Sequence, residues 1–395
     1  MSVGPSVGVV GGGIIGLSIA EYLSARGAEV TVVERSDGFS LGATSAAIGG
    51  ITPQSEAYCR GPLRYVATWS TEMYRGYISN IECHSDTKIN LLDTGQLQVA
   101  LSEEEMSRIE NELVPVWTSE GFTSYVLDRA ESLAVEPLLG PGVVGSVLLP
   151  VEIAVEPMEI VRALLITLSA RPNVTLTNGS MVTKLLSTAS HASVVFDDQI
   201  VQSFDYVVVA AGLQTPTLVP ELKSGIYPMR GQGLELRGAL SGYAFRHHIY
   251  SANGGPTRSA YMVPRADGRV AGGVTYEPNV GIERVEDQAI ESIRRGLAEV
   301  CPVTTSWPET RRWAGIRPAS IDGIPYIGAV DSGSRLIVCA GHQGLGVTLA
   351  PVSAHLVAVL LGLVNAGERE VRALNICNPA RHKQIVKRNE GYDLA

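Results

Sequence analysis

Gly11, Gly13 and Gly16 fall in the run Val7-Gly-Val-Val-Gly-Gly-Gly-Ile-Ile-Gly16, and a carboxylate, Glu34, follows at the end of the next apolar segment. Residues of these types at this spacing can hold a diphosphate without using side chains. Gly11 allows a tight turn, Gly13 lets the backbone approach the phosphates, and Gly16 lets a helix pack closely on a strand. The helix N-terminus at Ile14 and Ile15 adds free N–H groups and the positive end of a dipole. Glu34 can then bind ribose hydroxyls, so the set predicts a dinucleotide site, against the alternative of a plain glycine turn in a βαβ unit. A second glycine-rich turn, Gly341-His-Gln-Gly-Leu-Gly-Val-Thr348, precedes an apolar helical stretch and offers another place for negative charge. Ahead of that turn stands Arg317, just before Pro318 in an apolar segment. A guanidinium there is costly to bury alone, so it either meets an internal carboxylate or waits for an anionic ligand.

These residues need elements to position them. Apolar periodicity predicts a strand from residue 7, a helix over 14–26 stopped by Gly27, and a strand over 30–33 that delivers Glu34. The segment Gly42-Ala-Thr-Ser-Ala-Ala-Ile-Gly-Gly50 is almost all small residues, which suits a backbone passing tightly against a flat or phosphorylated ligand. The run Val207-Val-Val-Ala-Ala-Gly212 is too uniformly apolar for a half-exposed strand. It reads as a central parallel strand whose end, Ala211 and Gly212, touches a ligand. A strand over 336–340 leads into the closing glycine turn and a long helix. Elsewhere the patterns predict strands over 96–101, 174–177, 181–186, 192–196, 259–265 and 269–275, and helices over 103–112, 157–170 and 286–300.

The 395 residues are 45% hydrophobic, ample for two cores. A net charge of -9 disfavours a nucleic-acid partner. Cys59, Cys83, Cys301, Cys339 and Cys377 are widely spaced with no CxxC pair, which argues against a disulfide framework or a zinc or iron–sulfur site and for a reducing compartment, the cytoplasm. No signal peptide is expected ahead of the first strand. The apolar stretch 349–364 is interrupted by Pro351 and His355 and reads as a packed helix, with no transmembrane segment. His247, His248 and Tyr250 raise a metal or acid–base reading, but adjacent strand residues point to opposite faces and no third ligand is evident, so no metal is expected.

Six pieces, taken in order, carry a family resemblance over nearly the whole chain. They are the first glycine turn with Glu34-Arg35, the small-residue segment from Gly42, the strand Val207-Val-Val-Ala-Ala-Gly-Leu-Gln214, Trp313-Ala-Gly-Ile-Arg-Pro318, Asp322-Gly-Ile-Pro-Tyr-Ile-Gly328, and the closing turn. The chain resembles the D-amino acid oxidase superfamily, the FAD-dependent amine and amino-acid oxidoreductases that include glycine oxidase, D-amino acid dehydrogenase and monomeric sarcosine oxidase. The resemblance implies an α/β fold class. A Rossmann-like FAD-binding domain of glutathione-reductase type, over 1–90, 154–222 and 314–395, would be interleaved with an α+β substrate domain carrying a mixed or antiparallel sheet, over 91–153 and 223–313.

It also implies where FAD lies. Adenosine falls near Glu34, Arg35 and the backbone of Val182, and pyrophosphate over Gly11 to Gly16 and over Gly42, Ala43, Thr44 and Ser45. Flavin falls beside Ala47, Ile48, Gly49 and Gly50. Amides of Gly344, Leu345, Gly346, Val347 and Thr348 would face the flavin C2 carbonyl and N1, with His342 fixing the turn. Covalent attachment in sarcosine oxidases uses a cysteine just upstream of the block holding Asp322, and none occurs between Trp313 and Asp322, so FAD is expected to be non-covalent. The implied activity is oxidation of the C–N bond of a carboxylate-bearing amino acid or amine by hydride transfer to flavin N5. The resulting imine hydrolyses to an oxo acid plus ammonia or amine, and the electrons pass to oxygen or another acceptor. Arg317 would hold the substrate carboxylate by a two-point contact, with the Tyr261 hydroxyl nearby. Gly344 stands where glycine oxidase has a second arginine, which predicts room for a larger substrate. No lysine matches the oxygen activator of sarcosine oxidase between Arg265 and Thr275, which leaves the acceptor open, as is a homo-oligomer. The alternative is the flavin-carrying member of a D-amino acid or proline-type dehydrogenase built from several subunits, which passes electrons to a partner or quinone.

Overall fold

Val207 and Val209 face one side of a strand and Val208 the other, and both sides are buried, as the alternation of side chains along a strand requires when layers cover both faces. This strand lies inside a six-stranded sheet in a computed structural model that describes residues 4–238, 242–252, 259–331 and 333–385. The spatial order is Tyr326–Ala329, Leu336–Ala340, Tyr206–Val209, Ser6–Val10, Glu29–Val33 and Val174–Thr177. All neighbours are parallel except the pair Tyr326–Ala329 and Leu336–Ala340. Helices Ile14–Ser24, Gly61–Ser85, Pro157–Ser169 and Gly346–Leu360 pack together on one face. The other face carries a three-stranded meander, Val182–Ser187, Ala192–Phe196 and Val201–Phe204.

A nine-stranded mixed sheet forms a separate core. It is built from Gln96–Ala100, Tyr125–Asp128, Gly145–Leu149 and the strands between Ile226 and Ser320. Helix Asp287–Val300 seals it with Ile290, Ile293, Leu297 and Val300, the three-and-four spacing of an amphipathic helix. A small sheet of Gly50–Ile51, Ile153–Val155 and Leu91–Leu92 forms a further layer.

The observed elements differ from expectation in three places. The helix expected over 103–112 is Glu103–Arg108 followed by a widened turn, Ile109–Leu113, and a second helix, Val114–Ser119. Pro115 cannot donate to the carbonyl four residues back, so the regular ladder is interrupted there. The 25-residue helix Gly61–Ser85 was not expected at all. The closing apolar stretch is also longer than expected. Gln343–Leu360, 18 residues, is long and apolar enough to cross a membrane by length and composition, but 67% of it is buried inside the protein, against Ile14–Ser24 and Gly61–Ser85. All five cysteines are free.

Candidate active site

A cavity of about 650 Å³ runs from Glu34 and Arg35 to Arg317. At its first end three glycines do three different things. Gly11 adopts φ +112°, and a Cβ there would collide with the Ala210 carbonyl. A Cβ on Gly16 would collide with the Gly11 carbonyl oxygen, so this glycine sets the helix-to-strand distance. At Gly13 and Gly42 a Cβ would meet nothing closer than 3.4 Å, and both residues line the cavity. Helix Ile14–Ser24 starts without a side-chain cap on Gly13, leaving its first amides turned towards the cavity. The Ile14 N–H donates to Thr44 Oγ1 at 3.2 Å. Glu34 accepts from the Gly12 N–H at 2.8 Å and the Ser36 N–H at 3.0 Å, which ties the strand-end carboxylate to the turn.

Of the residues singled out in the sequence, Ile14, Ile15, Ala43, Thr44, Ala47, Ile48, Gly49, Gly50, Val182, Ala211, Gly212, His342, Gly344, Leu345, Gly346 and Val347 also line the cavity. Gly16, Ser45 and Thr348 do not. Ser45 turns its hydroxyl to the Leu41 and Gly42 carbonyls. Thr348 is buried, and its hydroxyl has no partner among the described residues.

The middle of the cavity is held from behind. Buried Arg265 donates to the Val155 carbonyl at 2.8 Å and the Ile48 carbonyl at 2.6 Å, which fixes the small-residue segment. The Trp313 indole N–H donates to the Ala46 carbonyl at 2.9 Å. Opposite, helix Gly346–Leu360 begins with no side-chain cap, and His342 pairs with Ser353 Oγ at 3.0 Å. Burial pulls the His342 imidazole down to about 3, so it is neutral at ordinary pH and acts as a brace for the turn. His248 is likewise buried and neutral, lowered to about 3 by burial and then by His247. Neither His248 ring nitrogen has a partner among the described residues.

At the far end Arg317 is half-buried. One N–H donates to the Thr275 carbonyl at 3.2 Å, and the guanidinium carbon stands 4.9 Å from the Tyr276 ring centroid. The guanidinium rests on Gly231, where any Cβ would collide with it. No carboxylate forms an ion pair with Arg317 among the described residues, and the carboxylate on which its charge acts is Glu56. Tyr261 lines the same cavity, and its hydroxyl, without a partner among the described residues, lies directly over Gly50. The room expected beside Gly344 is not free: the position its Cβ would take is crowded by the Tyr58 hydroxyl.

Sequence reading missed Glu56, Tyr58 and Tyr276 and considered Tyr250 only for a metal or acid–base role; all four line this end. Glu56 and Tyr58 follow a turn held by a contact distant in sequence. Buried Glu152 accepts from the N–H groups of Gln54 at 2.6 Å and Ser55 at 2.9 Å and from the Ser55 hydroxyl at 2.9 Å. This clamp turns the chain so that Glu56 and Tyr58 face inward. Burial raises the Glu152 carboxyl to about 8, and the Ser55 and Gln54 donors oppose it. The Tyr250 phenol is raised to about 12 by burial and then by Glu56. Those of Tyr58, Tyr261 and Tyr276 are also raised by burial, so all four are neutral hydrogen-bond donors.

The residues present fit an extended flavin dinucleotide. There are two glycine turns on the cavity, small residues between them, and cavity-lining hydroxyls at Tyr58 and Tyr261 without partners among the described residues. Residues 6–360 match the family model described as DAO: FAD dependent oxidoreductase. Glycine oxidase from Bacillus licheniformis is 29% identical over 362 residues, covering 89% of this chain and 92% of that protein. The crystal structure of glycine oxidase from Geobacillus kaustophilus superposes with a TM-score of 0.83 at 26% identity, covering 92% of this chain and 96% of that one. That of L-proline dehydrogenase from P. horikoshii shares the fold, with a TM-score of 0.81 at 20% identity over 97% of this chain and 99% of that one.

Proposed function

The chain belongs to the FAD dependent oxidoreductase family, whose model it matches over residues 6–360, and from that premise we propose that it oxidises the C–N bond of a small amino acid or N-substituted glycine. The product is an imine, which water converts to an oxo acid and ammonia or an amine. The observation that carries this reading is Arg317. It is a cation without an ion-pair partner among the described residues, standing in the cavity onto which both glycine turns open. Similarity to glycine oxidases supports the same substrate class.

Held along the glycine turns and the small-residue segment that line the cavity, FAD would supply the oxidant, accepting the α-hydrogen as a hydride, one proton with two electrons. The protein's own residues supply position. Arg317 has one N–H committed to Thr275 and no other hydrogen bond among the described residues, which leaves the rest of its planar fork for a carboxylate. Tyr58 and Tyr261 add neutral donors from two sides. Tyr58 beside Gly344 favours compact substrates. The uncapped N-termini of Ile14–Ser24 and Gly346–Leu360 turn positive dipole ends towards the cavity, one suited to a diphosphate and one to negative charge that builds during oxidation. We assign residues 1–90, 154–222 and 314–395 to cofactor binding and 91–153 and 223–313 to substrate binding. The separate cores of the two large sheets support this division, although strand Glu309–Ser320 crosses the boundary at 314.

Incubation of the FAD-loaded protein with glycine, sarcosine, D-alanine and D-proline tests the reading. At least one oxo acid should form, in step with oxygen uptake or reduction of a quinone dye. Formation of none from any of the four would contradict it. Because no cysteine lies between Trp313 and Asp322, acid precipitation should release all the flavin into the supernatant.

A further inference from the structure

Glu56 stands at the substrate end of the cavity with an environment unlike that of a structural carboxylate. It belongs to the turn clamped by Glu152, and its own N–H donates to the Thr52 carbonyl at 3.1 Å. The Ala57 N–H lies against its carboxylate, and no basic side chain pairs with it among the described residues. The cation that acts on it is Arg317, from strand Glu309–Ser320. The other titratable groups that face it are Tyr58 and Cys59 on its own segment, Glu152 ahead of Ile153–Val155, Tyr250 and Tyr261 from adjacent strands, and Tyr276 beyond Arg269–Gly273. The phenols are neutral and Glu152 is occupied by the turn. The substrate end thus presents one cation and one carboxylate, each without an ion-pair partner among the described residues. That arrangement complements an amino-acid zwitterion.

An amino acid reaches the site mainly as an ammonium near neutral pH, and an ammonium nitrogen has no lone pair with which to form the C=N bond. A group that removes a proton lets the site use this major form and not only the small fraction of neutral amine. Resting on the reading of the substrate as an amino acid, we propose that Glu56 receives the ammonium end while Arg317 holds the carboxylate, and that Glu56 takes one proton from it. One N–H bond breaks, one carboxyl O–H bond forms, and the amine is left neutral. Burial raises the Glu56 carboxyl to about 7, which makes it a stronger base than an exposed glutamate and leaves it largely ionised above that pH.

The test is anaerobic flavin reduction by glycine, sarcosine and D-alanine across pH 6 to 10, in the FAD-loaded wild type and in Glu56→Gln. For the fastest of the three, the wild-type second-order rate constant should level off above about pH 7. The variant should instead rise about tenfold per pH unit until the substrate's own ammonium ionises, starting about a hundredfold below wild type near pH 7.5. Propionate, which has the carboxylate but no amine, is the second probe. Its perturbation of the flavin spectrum should be as tight or tighter in Glu56→Gln. A variant that follows the wild-type pH profile, or that loses propionate binding along with reduction, would overturn the proposal and leave the functional reading standing. No reduction of the wild type by any of the three would overturn both.

Discussion

Arg317 is held by Thr275, Tyr276 and the bare face of Gly231, a seat that orients a planar fork without neutralising it. Arg317→Ala should lower kcat/KM about a hundredfold, the loss of a charge-assisted bidentate contact worth roughly 3 kcal/mol, while the protein keeps its FAD spectrum. Unaltered steady-state kinetics would remove Arg317 from the site. Gly231→Ala is a subtler probe. Its methyl group collides with the mobile end of a side chain and not with backbone, so thermal stability should hardly change while the KM for substrate rises about tenfold. Of these contacts only the arginine was legible from sequence, because a guanidinium in an apolar segment demands an explanation. Glu56 and Tyr58 sit in an irregular loop without periodicity. Their inward direction depends on Glu152, 97 residues away from Ser55, which no local pattern announces.

At the level of elements, the turns between strand and helix were legible because their glycines are forced. Gly16 has the Gly11 carbonyl where its side chain would be, so Gly16→Ala must push helix Ile14–Ser24 off its strand. The expected cost is about 1–3 kcal/mol, read as a lowered Tm and as protein that purifies largely free of FAD. The clamp at Glu152 makes a separate prediction. Its carboxyl is raised from 4.5 to about 8 in the folded protein. Between those values the folded state holds a proton that the unfolded chain has released, so the stabilisation is complete below pH 4.5 and is lost as pH rises through about 8. Urea midpoints should fall across that window by an amount equivalent to a few kcal/mol at most, and Glu152→Gln should flatten the slope. A wild-type midpoint that climbs from pH 5 to 8 no less steeply than the variant's would contradict it. Helix Gly61–Ser85 escaped notice although Leu63, Val66, Ala67, Ser70, Tyr74, Ile78 and Ile81 form its buried stripe. Polar and charged residues between them hid the period, and Pro62 at its first turn was the unread start signal.

Across the whole molecule, the two large sheets have separate cores, and the cavity draws on segments from near both ends of the chain. Strands that are buried on both faces and end in small residues, such as Tyr206–Val209 and Leu336–Ala340, could be read directly, since few other settings tolerate such runs. The pairing of Glu309–Ser320 with Ile226–Arg237, which sets Arg317 opposite Met229 and its guanidinium on Gly231, could not. Register between strands so far apart is chosen by packing and not by local sequence. What the assembly is claimed to do is bring an amino acid, anchored at Arg317, against a bound FAD. Anaerobic mixing of the FAD-loaded protein with glycine, sarcosine, D-alanine and D-proline, followed by the flavin absorbance, tests that claim most directly. At least one of them should bleach the flavin, and bleaching should be about a hundredfold slower in Arg317→Ala at equal substrate concentration. A yellow protein that none of the four bleaches, or an alanine variant bleached as fast as wild type, would contradict it.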